Sequence, residues 1–195
     1  MKRFITLLFT LYAVLLQPLA ANASYFPSTQ ITDNKETAYC ASTGIFTTAT
    51  SATDIFNFKG SDTKTIYIRK ITWKQANSVG SGNFDVYLLK RSTANSGGTS
   101  SALTAVPLDS NFSSATASGV YYTANPTTGT SLGGIAHVFL HLHYDGSFIY
   151  TLFDSTKGGS PIVLRGTSES ISVNYNGVTD PIERSAVVDI EWSEK

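Results

Sequence analysis

The sequence predicts an all-β protein: a single antiparallel β-sandwich, jelly-roll-like, of eight to ten strands. Three observations lead there. Apolar residues recur with period two from about residue 54 to the end, in segments rich in β-branched and aromatic residues. Turn chemistry breaks these segments at Gly80-Ser81-Gly82, Tyr144-Asp145-Gly146, Lys157-Gly158-Gly159 and Asn176-Gly177. Beyond the first residues, no long window carries a helical apolar stripe.

Taken in order, Asp54 to Phe58 is a short candidate strand. Thr65 to Trp73 (TIYIRKITW) places Tyr67, Arg69, Ile71 and Trp73 on one side and Ile66 and Ile68 on the other. Asn83 to Arg91 (NFDVYLLKR) directs Phe84, Val86 and Leu88 inward and Asn83, Asp85 and Tyr87 outward. Gly119 to Thr123 is again short. Ile135 to Tyr144 (IAHVFLHLHY) aligns Ala136, Val138, Leu140, Leu142 and Tyr144 on a core face. Phe148 to Phe153, Pro161 to Arg165, Ser170 to Tyr175 and Ala186 to Trp192 complete the series. Two stretches are not strand-like. Residues 24–50 read as a leader or N-terminal arm, polar from Tyr25 to Asn34, ahead of a sandwich domain at 51–195. Ser92 to Ser118 is a long connection rich in Ser, Thr, Ala and Gly, either a functional loop or a crossing between sheets.

The amino terminus has the pattern of an export signal. Met1-Lys2-Arg3 is positive, Phe4 to Leu16 is apolar, and Ala21-Asn22-Ala23 offers small residues at both positions of a cleavage site. Cleavage is expected after Ala23, which makes residues 1–23 a signal peptide and Ser24 the first mature residue. The apolar run is shorter than the roughly 20 residues that span a bilayer, and the mature chain has no second one. The protein is therefore expected to be exported, as a periplasmic, extracellular or virion-associated chain without a transmembrane helix.

Composition excludes several classes. The 14 Lys and Arg balance 14 Asp and Glu, and losing Lys2 and Arg3 leaves 12 cations against 14 anions. No cationic excess exists to displace phosphate counterions, so nucleic acid is not an expected partner. A single cysteine, Cys40, rules out an internal disulfide framework; a small buried hydrophobe is its simplest role.

The residues with chemical potential are few. His137, His141 and His143 share one face of one strand, with Phe139 between. His141 and His143 at i, i+2 can converge on a metal, but a third ligand is missing because His137 lies about 13 Å from His141 at strand rise. An ordinary polar face, or a patch that titrates near neutrality, is the expectation. No metal or other cofactor is expected. Gly166-Thr167-Ser168-Glu169-Ser170 has the spacing of a nucleophile elbow without its closing Gly. Carboxylates such as Asp85, Asp145, Glu169 and Asp189 are scattered rather than paired across a cleft. No catalytic residue is assigned, and the chain is expected not to be an enzyme. Tyr67, Tyr87, Tyr121, Tyr122 and Tyr150 form a candidate exposed platform for sugar rings, against the simpler role of cross-strand aromatic pairing. Asn111-Phe112-Ser113 matches a glycosylation acceptor that matters only in a eukaryotic secretory route.

Four motifs in order, Arg91 to Thr99 (RSTANSGGT), Tyr122 to Pro126 (YTANP), Pro161 to Glu169 (PIVLRGTSE) and Asp189 to Trp192 (DIEW), resemble stretches of uncharacterised tailed-phage and prophage proteins. The resemblance covers about residues 50 to 195. It implies a virion-associated structural β-sandwich, such as a head decoration, fibre or tail accessory component, and implies no catalytic residues. The export signal and the histidine-bearing strand are departures from that pattern. The expected function is that of a non-enzymatic exported structural or surface protein, self-associating or bound to other virion or surface proteins. The alternative is a secreted carbohydrate-binding module that meets glycans through the exposed tyrosines.

Overall fold

The computed structural model describes residues 36–48, 51–75, 82–142, 148–175 and 185–195. The expected signal peptide, residues 24–35 of the arm and the Asn176-Gly177 turn lie outside the described residues, and so do the side chains of Phe84, Leu140 and Leu142. The strands in chain order are β1 (Thr37–Ser42), β2 (Phe46–Thr47), β3 (Thr53–Lys59), β4 (Ile66–Gln75), β5 (Gly82–Arg91), β6 (Ser100–Ala102) and β7 (Val106–Pro107). They continue with β8 (Ser118–Tyr122), β9 (Ser131–Leu142), β10 (Phe148–Asp154), β11 (Ile162–Leu164), β12 (Ser170–Tyr175) and β13 (Ser185–Glu194).

Two antiparallel sheets pack into a sandwich. The first runs β10-β4-β13-β1-β7, with β11 also on β4 and β2 also on β13; the second runs β6-β8-β3-β12-β5-β9. Eight strands carry the frame. β1, β13, β4 and β10 face β3, β12, β5 and β9, and the chain changes sheet at every step along the frame except from β5 to β9. That order is the double Greek key of a jelly roll.

Aromatic side chains tie the sheets together. Trp73 of β4 donates its indole N–H to the Tyr175 hydroxyl of β12 at 2.7 Å. Trp192 of β13 meets the edge of Phe58 from β3 at 4.8 Å and stacks on Tyr39 of β1 at 5.5 Å. All five are buried, and fully burying a side chain of this size contributes about 1.5–3 kcal/mol. Their polar tips find partners: the Trp73 indole uses Tyr175, the Trp192 indole donates to Glu194, and the Tyr39 hydroxyl donates to Ser113 O at 2.8 Å.

Three sequence expectations change. The sandwich begins before residue 51, because β1 and β2 come from the expected arm and β1 pairs along its whole length with β13. The connection from Ser92 to Ser118 is a crossing that carries strands: β6 joins the second sheet through β8, and β7 joins the first through β1. On β4, strict alternation fails. Lys70 faces Glu191 and Ile68 faces Trp192, so Arg69 is an extra, bulged residue. The bulge reverses the parity, and Ile66, Ile68, Ile71 and Trp73 all enter the core.

Candidate functional site

Buried polar residues gather at the start of β3 and the end of β5. Asp54, at the start of β3, is fully buried, and Arg91 ends β5 only 4% exposed. Arg91 donates Nε and Nη2 to the two Asp54 oxygens, each at 2.6 Å. Asn95 and Asn174 add one amide donor each, at 2.8 and 2.7 Å. The remaining guanidinium nitrogen donates to Gly129 O, and Gly129 N donates back to the Asn95 side chain. Each carboxylate oxygen therefore accepts from two donors, the arrangement a buried ion pair needs to offset its desolvation. Burial pushes the Tyr122 phenol up, and the Asp54 charge adds to that, although a hydrogen bond with Asn95 opposes them. This network fixes the long crossing against the second sheet.

A second buried carboxylate, Glu194, behaves alike. Burial works against its charge, yet donors from Ala117 N, the Trp192 indole and Thr116 outweigh it and hold the pKa below the ordinary value. Glu194 thereby clamps the end of the crossing onto the last strand. Glu36 closes the same edge of the chain with Lys195, Ser193 and Arg69, the bulged residue of β4.

The histidine strand is β9, the edge of the second sheet. His137 is exposed on its outer side, bonded through Nε2 to Asp85 and stacked on Tyr87 with ring centroids 4.2 Å apart and planes within 4°. His143 and the side chain of His141 lie outside the described residues. Among the described residues no group of three or more His, Cys, Asp or Glu is placed to hold a metal ion.

The five tyrosines do not make one platform. Tyr122 is buried, a correction to its expected exposure, and Tyr121 turns inward against Phe46 at 4.7 Å. Tyr87 lies with His137 on the outer face of the second sheet. Tyr67 belongs to the first sheet, where the Lys195 ammonium sits 5.5 Å above its ring. Tyr150 is on β10, stacked with Phe148. The strands that carry these tyrosines were legible, but which sheet each strand joins was not.

What sequence reasoning missed is an apolar margin. The jelly-roll order puts β9 and β10 at the edges of the two sheets on one side of the sandwich. Leu132, Ile135 and Phe139 of β9 are 60%, 41% and 63% exposed, and Ile149 of β10 is 67% exposed. β9 (SLGGIAHVFLHL) contains no Lys, Arg, Asp, Glu or Pro, the residues that usually blunt an edge. Its first half is interrupted by register shifts on either side of Gly133-Gly134; from Ala136 onward the pairing with β5 is regular. The absence of charge in residues 131 to 142 was the available signal.

No protein-family model, curated protein or solved structure matches the chain. Among the described residues no helix is long and apolar enough to cross a membrane.

Proposed function

We propose that this chain is a non-enzymatic exported structural or surface protein, a virion-type accessory jelly roll that associates with copies of itself or with other virion or surface proteins. The observation that carries the reading is the apolar margin of β9 and β10, uncharged along β9, since an open strand edge with exposed Leu, Ile and Phe is a template for another chain. The buried charged residues support it from the other side: Asp54, Arg91 and Glu194 are each hydrogen-bonded to internal partners, which fits a structural role.

The phage-like motifs fit a structural role as well. Arg91 and Asn95 of the first motif bind Asp54, Tyr122 of the second shares that network, Glu169 of the third accepts from Arg165 N, and Trp192 of the fourth is core. Export is supported by the residue pattern of positions 1–23 alone. A glycan reading that needs the five tyrosines on one platform loses its support, because they lie on different faces.

Fractionation of the native source tests the proposal. Mass spectrometry of particles, membranes, medium and cytoplasm is expected to find the chain in particles or on surfaces, beginning at Ser24. A chain found only in the cytoplasm, with residues 1–23 intact, contradicts it.

A further inference from the structure

His137 and Asp85 form a small site with Phe139, one of the exposed side chains of the assembly margin. The two rings stand at i and i+2 on β9, about 7 Å apart along the outer side of the second sheet. Phe139 presents most of its surface to water, and its register partner on β5 is Asp85. His137 is half exposed, and its plane is held by Tyr87 behind it and by Asp85 beside it. The result is an exposed phenyl ring beside an imidazole held in orientation, with a carboxylate at hand to accept hydrogen bonds. Across residues 85–89 and 136–139, Asp85 carries the only fixed formal charge. No cation stands on this stretch to receive a phosphate, sulfate or sialic acid.

That chemistry selects a particular ligand class. A pyranose ring has an apolar C–H face and a rim of hydroxyls; the face lies on aromatic carbon and the rim reaches polar groups at the border. An uncharged sugar brings no repulsion against Asp85, whereas an anionic one does. We infer that the outer face of the second sheet at β5 and β9 binds neutral oligosaccharides, with Phe139 and His137 as the floor and Asp85 as the hydroxyl acceptor. The inference does not rest on self-association, and a second copy seated over Phe139 would compete with the sugar.

The test uses the mature chain, residues 24–195, titrated by calorimetry and NMR with neutral oligosaccharides of glucose, galactose, mannose and N-acetylglucosamine, with sialylated and sulfated sugars as controls. Saturable binding of at least one neutral sugar is expected. Phe139→Ala weakens it by roughly tenfold or more, Asp85→Asn also weakens it, and Phe139→Tyr retains it. Tyr150→Ala, on the other sheet, leaves it unchanged. Circular dichroism of each variant separates lost binding from lost fold. Failure of every neutral sugar to bind, preference for an anionic sugar, or binding indifferent to Phe139→Ala overturns the inference.

Discussion

Asp54 and Arg91 show how a polar residue pair holds this fold. With the guanidinium removed, Asp54 keeps only two amide donors in a fully buried position. Arg91→Ala is therefore expected to lower the unfolding free energy by about 3–5 kcal/mol, measured by urea denaturation. An Asp54→Leu and Arg91→Met double variant is expected to lose less, since no charge is then stranded. Glu36 supplies a pH dependence. Hydrogen bonds from Lys195 and Ser193, followed by the Arg69 guanidinium, carry its pKa from the ordinary 4.5 to about 2. A folded-state value below the unfolded one means stability that is complete above the ordinary value and is lost as pH falls toward the folded one. The thermal midpoint is expected to drop as pH falls from 4.5 to about 2, and the drop is expected to be shallower in Glu36→Gln. Neither role was legible in the sequence, because each carboxylate meets partners far away along the chain.

The strands themselves were largely legible. Ser170 to Tyr175 reads with the bounds that β12 has, and β5 and β10 differ by a residue at one end. Each puts core apolar residues at spaced positions, Val86 and Leu88 on β5, Leu152 on β10, and Ile171, Val173 and Tyr175 on β12. β4 was misread at its faces because a bulge inserts Arg69, and a bulge has no period of its own. β6 and β7 were missed for another reason. At three and two residues they are too short to show a period, and they are strands only because β8 and β1 offer an edge. The crossing that bears them depends on close backbone approach at Gly129, where a Cβ would lie 1.8 Å from Thr93 O. Gly129→Ala is expected to cost about 1–3 kcal/mol and to speed limited proteolysis between residues 92 and 131.

At the scale of the molecule, period and turn spacing were enough to indicate a β-sandwich, whereas the strand order needed the structure. Which residues are exposed follows from that order. Phe139 and Ile149 lie on consecutive strands of different sheets, and the jelly roll sets β9 and β10 at one margin of the two sheets and leaves both side chains in water. The proposed function rests on that margin. Its most direct test is sedimentation velocity of the mature chain from micromolar to millimolar concentration, beside Ile135→Lys and Ile149→Lys variants. The prediction is a sedimentation coefficient that rises with concentration in the parent chain and stays at the monomer value in the variants. A parent chain that remains monomeric throughout, or association that survives both lysines, contradicts assembly through this edge.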